Sequence, residues 1–82
     1  MTRTEIFEKL KDVIKRALPD RAEFVDSCDE SVDLHTDIGL NSIGLLYVVI
    51  AIEEFFNVSF DDVSFNDFNT IADVIDFIQS QE

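Results

Sequence analysis

Asp37-Ile38-Gly39-Leu40-Asn41-Ser42-Ile43 places one hydroxyl, that of Ser42, where an acidic polar stretch gives way to a long apolar run. A catalytic serine needs a base within hydrogen-bond reach, itself oriented by a third group. The only histidine is His35, seven residues upstream, and no Gly-x-Ser-x-Gly is present, so a triad does not assemble from this sequence. A serine that receives a group asks for less: an exposed hydroxyl at a helix start, where free amides and the positive end of the helix dipole favour a phosphodiester. Gly39 supplies conformational freedom for the turn into that helix, and Asp37 has a carboxylate to receive nearby backbone amides. The ordinary role of such a serine is to cap its helix, alone or with Asn41.

The elements that must position Ser42 are read from periodicity. Ile6, Phe7, Leu10, Val13, Ile14, Ala17 and Leu18 recur at helical spacing and predict a helix over 4–18. Thr4 is its expected cap, and Pro19 ends it. Residues 19–40 form a long polar connection in which Phe24, Val25, Val32, Leu34 and Ile38 follow no clean period. Such a connection must be pinned across the domain, with one short helical turn expected in it. A second helix is predicted over 42–56, with Asn57 ending it in the left-handed conformation. A short third helix is expected near 61–65. A fourth should run from the cap Thr70 to Gln79, with Ile71, Val74, Ile75 and Ile78 on its inner side. The fold class is therefore all-α: a small four-helix bundle with a long first crossover, residues 1–82 making one domain.

At about 100° per residue, Leu45, Val48, Val49, Ile52 and Phe56 share one side of the 42–56 helix. Glu53 and Glu54 lie opposite, and Ile43, Leu46, Tyr47 and Ile50 lie with them. A helix apolar nearly all round is either buried or offers a surface to something else. The first alternative is cover by the 19–40 connection; the second, which we favour, is a partner-binding face.

Composition narrows the function classes. Formal net charge is −12, and all six Lys and Arg fall in the first 21 positions, leaving fourteen acidic and no basic side chains afterwards. Such a surface repels nucleic acid and attracts basic protein surfaces. The longest strictly apolar run, Leu45 to Ile52, is far short of the ~20 residues of a membrane span. With no apolar N-terminal segment and one cysteine, Cys28, a cytoplasmic monomer is expected. One Cys and one His exclude a structural zinc site. The acidic stretch from Asp29 lacks the glycine and glutamate of a calcium loop, having Leu34 and Leu40 there.

The junction resembles the attachment site of acyl carrier proteins, usually written Asp-Leu-Gly-x-Asp-Ser-Leu. Ile50-Ala51-Ile52-Glu53-Glu54-Phe55-Phe56-Asn57-Val58 resembles that family's ending of its second helix, and length, acidity and crossover agree along nearly the whole chain. The resemblance implies a carrier that is not itself an enzyme, with a covalent 4′-phosphopantetheine on Ser42 supported by Asp37, Gly39 and Asn41. Its implied partners are a phosphopantetheinyl transferase and acyl-loading and acyl-using enzymes with basic or apolar docking surfaces. They would meet Ile43, Leu46, Tyr47, Ile50, Glu53 and Glu54. It also implies an acyl cavity between the helices, for which Phe55, Phe56, Phe60 and Phe65 are candidate linings.

Three positions depart from the family pattern. Asn41 replaces an aspartate, Gly44 an acidic residue and Tyr47 a glutamate. The expected consequence is a specialised, free-standing carrier, read by partners through apolar contact more than charge, with Gly44 giving close approach. The alternatives are an aminoacyl, peptidyl or D-alanyl carrier of the same fold, or an unmodified acidic interaction module.

Overall fold

A computed structural model describes residues 1–59 and 68–81. Among these residues are four helices, α1 (Arg3–Ala17), α2 (Ala22–Ser27), α3 (Ser42–Phe56) and α4 (Ile71–Ser80), with a 3-10 turn at Pro19–Arg21. No strand occurs among them, and the class is the expected all-α bundle. The short helix expected at 61–65 lies outside the described residues, as do Phe60 and Phe65.

Helix α1 is capped by Thr2, not Thr4. Thr2 Oγ1 accepts from the Glu5 amide at 3.1 Å and the Thr2 amide donates back to Glu5 Oε1 at 3.0 Å. The T-x-x-E signature of this reciprocal box stood in the sequence, and it starts the helix one residue earlier than the apolar period does. Thr2→Ala is expected to cost about 1 kcal/mol, lowering the melting temperature by roughly 4–8 °C; a thermal melt followed by circular dichroism checks this. Helix α4 repeats the device, Thr70 Oγ1 accepting from the Asp73 amide at 3.2 Å.

Helix α1 packs against α2, α3 and α4. It contributes Ile6, Leu10, Val13 and Ile14 to a core completed by Leu45, Val48, Val49 and Ile52 of α3 and Ile71, Val74, Ile75 and Ile78 of α4. These are the inner stripes expected from periodicity. Phe56, placed on the same side of α3, is half-buried and packs against the core. Cys28 is also half-buried, its Sγ 3.1 Å from the Val25 carbonyl, and burial pushes its thiol pKa up. That is the behaviour of an inert packing residue.

The crossover holds more structure than one helical turn: the 3-10 turn and then α2. Beyond α2 it is tied to the start of α4 by backbone bonds. Leu34 N donates to Asn69 O at 2.8 Å, Ile71 N to Val32 O at 3.3 Å and Ala72 N to Glu30 O at 2.8 Å. Leu34, Ile38 and Leu40 are buried here and Val25 in α2, and Val32 is half-buried against the core, but Phe24, expected to help pin the connection, is exposed. Salt bridges from Arg3 to Glu30 and Asp76, and from Lys15 to Asp26, join the same elements at the surface, where each contributes little.

Candidate functional site

The site is built by the turn that brings the crossover into α3. Asp33 begins it: its Oδ1 accepts from the amides of His35 and Thr36, both at 2.8 Å. Asp37 Oδ2 accepts from the Asp33 amide at 2.9 Å, so its carboxylate is turned back into the loop. Ile38 N donates to Asp33 O at 3.0 Å and Leu40 N to Leu34 O at 2.9 Å, which buries Ile38 and Leu40 as anchors. Between them Gly39 has φ +87°, a conformation in which a side chain is strained. Arg21 Nη2 donates to the Asp37 carbonyl, fixing the loop from the far side.

The Thr36 amide, then the His35 amide, hold the Asp33 carboxyl below the usual aspartate range. A folded-state pKa below the unfolded one means that Asp33 contributes stability above the unfolded value. That contribution is lost as pH falls through the folded one. We expect the Asp33 carboxyl-carbon resonance to titrate below an ordinary aspartate, with the Thr36 and His35 amide resonances following the same midpoint. An unshifted midpoint would refute this account of the loop.

Asn41 caps α3, its Oδ1 accepting from the Gly44 amide at 2.8 Å while its carbonyl accepts from Leu45 N at 2.8 Å. Ser42 is therefore the first residue of the helix, not its cap. It is exposed, and its Oγ has no hydrogen-bond partner among the described residues. The Ser42 and Ile43 amides likewise donate to no described group, as the first turn of a helix requires. Other serine hydroxyls are committed: Ser27 to the Glu23 and Phe24 carbonyls, Ser31 to Asp29, Ser80 to Phe77 O. His35 stands apart from Ser42 in the hydrogen-bond pattern, its Nε2 donating to the Phe68 carbonyl at 3.2 Å.

Gly44 has an internal reason. A Cβ there would lie 3.0 Å from Leu40 Cδ2 and 3.4 Å from Asn41 Oδ1. The close approach expected of a partner is already made by buried Leu40 and the cap. Beyond it, Ile43 is 81%, Leu46 45%, Tyr47 49% and Ile50 50% exposed. Cover by the 19–40 connection is thus corrected: Leu34, Ile38 and Leu40 of that connection pack in the core instead. Glu54 is exposed on the same side, whereas Glu53 is half-buried.

Of the four aromatic residues expected to line a cavity, Phe60 and Phe65 lie outside the described residues, Phe56 packs against the core and only Phe55 is corrected. Phe55 is 55% exposed, with Lys9 Nζ 4.7 Å from its ring centre. Between α1, α3 and α4 the described side chains, Leu10, Leu45, Ile52, Phe68 and Val74 among them, leave a void of about 10 Å³, roughly the size of one water. Sequence reasoning missed Asp33, Arg21 and Leu40 as builders of the site. An Asp two and three residues before the amides it receives is a legible turn signal, whereas nothing local marks Arg21 or Leu40.

A helical bundle that presents an uncommitted serine hydroxyl at the head of its most apolar helix has the framework of a carrier domain. Residues 8–78 match the family described as phosphopantetheine attachment site. The chain is 32% identical over 80 residues to an acyl carrier protein of Coprothermobacter proteolyticus, covering 98% of this chain and 94% of that one. It is 30% identical over 81 residues to that of Thermotoga maritima, covering 98% and 95%. Among solved structures, the apo doublet acyl carrier protein from prodigiosin biosynthesis superposes with a TM-score of 0.64 at 25% identity. That match covers 95% of this chain, which spans only 38% of the doublet.

The chain belongs to the acyl carrier protein family, whose members hold acyl groups on covalent 4′-phosphopantetheine. The residues around Ser42 fit that group. The hydroxyl is exposed and uncommitted, two amides stand free beside it, and neutral Asn41 puts no carboxylate against a phosphodiester. No described helix is long and apolar enough to cross a membrane, and no described His, Cys, Asp or Glu cluster could hold a metal ion.

Proposed function

We propose that Ser42 is the attachment residue and that the protein carries acyl thioesters for other enzymes without catalysing a reaction itself. The observation that carries this is the uncommitted Ser42 hydroxyl at the first position of α3, presented by the Asn41 cap. When loaded, the arm supplies a thiol on which an acyl group rides as a thioester. The phosphodiester would rest against the Ser42 and Ile43 amides at the positive end of α3. Gly39 and Asp37 hold the turn that aims this end outward. In loading, one Ser42 Oγ–P bond forms as the diphosphate linkage of coenzyme A breaks and its nucleotide half leaves. No described base stands within hydrogen-bond distance of Oγ, so the hydroxyl proton passes to a base on the phosphopantetheinyl transferase.

Ile43, Leu46, Tyr47 and Ile50, with Glu53 and Glu54 at the far end, are the surface on which partners dock. The acidic side chains steer basic enzymes to it, and the apolar ones select among them. The loss of charge at Asn41 and Tyr47 supports a dedicated carrier, acting as a cytoplasmic monomer of one domain. Intact-mass and peptide mass spectrometry after co-expression with a broad-specificity transferase tests the reading. One phosphopantetheine should appear, on the peptide that contains Ser42. An unmodified chain, or an adduct elsewhere, would overturn it.

A further inference from the structure

An open surface groove of about 430 Å³ lies between α1 and the second half of α3. Its α3 wall is made by Tyr47, Ile50, Ala51 and Phe55, with Glu54 among them. These positions stand three or four residues apart and form one stripe along the helix. The stripe is a second seam, separate from Leu45, Val48, Val49 and Ile52, which are buried in the core. Across the groove stand Val13 and Arg16, one turn apart on α1.

We infer that the groove seats an amphipathic helix of an enzyme partner. The apolar ridge of that helix lies in the groove, its acidic edge meets Arg16 on α1 and its basic edge meets Glu54 on α3. The inference rests on the proposed docking face of α3 and goes beyond it, because it extends the interface onto α1 and requires acid in the partner there.

The first observation is shape. From Tyr47 to Phe55 the stripe runs about 12 Å at ~1.5 Å per residue, the length of two turns of a bound helix. A helix that docks through anchors at i, i+3 or i+4 and i+7 presents a ridge of about the same length. Tyr47, Ile50 and Phe55 are about half exposed, so the ridge has apolar surface to cover. The groove's volume falls within the range of about 300–1,000 Å³ usual for binding clefts.

The second is charge. All six Lys and Arg lie on α1 and the 3-10 turn after it. Arg3, Lys11 and Lys15 are held in ion pairs. Lys9 lies over the Phe55 ring and Arg21 donates to the Asp37 carbonyl. Arg16 is exposed and has no carboxylate within ion-pair distance among the described residues. Glu54 is exposed on the opposite wall. A helix charged with one sign on both edges gains at one wall and is repelled at the other, whereas a helix with one edge of each sign is matched at both.

That match also sets direction. Turning the helix end for end exchanges its edges and places acid against Glu54 and base against Arg16. A wholly basic helix, drawn in by the net charge of −12, still meets Arg16, which therefore selects among basic enzymes after they arrive. The near end of the groove, at Tyr47, lies about 8 Å along α3 from Ser42. A seated partner thus stands beside the arm without covering its point of attachment.

The test uses a phage-displayed library of a stable single helix, with apolar residues along the ridge and Glu, Lys or Gln allowed on both edges. It is panned at physiological salt against the chain before and after transferase treatment. Enriched helices should carry Glu on one edge and Lys on the other. Arg16→Glu should weaken the best of them, made as a labelled peptide, about tenfold in fluorescence anisotropy. Replacing that peptide's edge Glu by Lys should restore binding to the Arg16→Glu protein. The four combinations give the coupling between the two positions and remove any general effect of charge, and a thermal melt confirms that the variant is folded.

Enriched helices with basic edges only, or no effect of Arg16→Glu, overturn the inference. So does a dimer of the protein in light scattering that the helices compete away, which makes a second copy the occupant. Helices that shift the amide resonances of Ile43 and Leu46 but not those of Val13 and Arg16 overturn the groove and leave the docking face standing. No enriched helix, or one mapped away from α3, removes both. Failure to load Ser42 is seen separately, in the mass.

Discussion

Ser42→Ala is expected to abolish loading completely while leaving the melting temperature within about 0.5 kcal/mol equivalent of the parent. Both halves follow from geometry. The substitution removes the only atom able to form the phosphoester at this position. It removes no contact on which the fold depends, because Ser42 is exposed, Oγ has no described partner and the cap is Asn41. Asn41→Ala is the informative contrast. It deletes the 2.8 Å acceptor of the Gly44 amide, costs about 1 kcal/mol and keeps the nucleophile, so loading should slow and not vanish. Intact mass after exhaustive transferase treatment, paired with a thermal melt, separates the two. A Ser42→Ala protein that still gained the adduct would remove Ser42 from its proposed role. One that lost the adduct by unfolding would show it in the melt.

The largest effect on stability should come from Leu34→Ala, in a segment with no regular secondary structure. Leu34 is 2% exposed, donates its amide to Asn69 O and accepts from the Leu40 amide. It therefore links the site's turn, the crossover and the start of α4. Truncation removes its transfer energy and leaves a cavity among close-packed aliphatic neighbours, a loss of about 2–5 kcal/mol. At roughly 0.05–0.15 kcal/mol per residue, a domain of this size has only about 4–12 kcal/mol in all. Urea unfolding should show the midpoint fall steeply with the slope unchanged. A loss below 1 kcal/mol would mean that the crossover is not part of the core. Because Leu40 leans on Leu34, the variant should also load more slowly than its folded fraction alone allows.

The contrast between Leu34 and Ser42 shows which parts of the molecule are local. Ser42, Asn41, Gly39 and Asn57 have roles set by neighbours a few residues away: a cap, a positive φ at Gly39, a left-handed end at Asn57. Helix α3 accordingly has the bounds its sequence predicts, and the inner stripes of α1 and α4 follow from a period of 3.6. The cap of α1 was equally local and legible. Thr2 and Glu5 carry the signature, although the apolar stripe draws attention to Thr4.

What the sequence determined, then, is the kind of chain this is: amphipathic helices around an acidic connection, with a family motif at the head of the most apolar helix. These depend on interactions within one turn of helix or one tight loop, so residue order alone specifies them. Only the tertiary structure decided what the connection does and which apolar side chains face water. Leu34, Ile38 and Leu40 have no period because their burial is fixed by bonds to Asn69 and to each other across the fold. Gly44 is explained by Leu40 packing beneath it, and Phe55 faces Lys9 of another helix instead of an interior. The same packing left the outer side of α3 exposed. It set Ser42 at the edge of an exposed apolar surface, which no count of residues along the chain reveals.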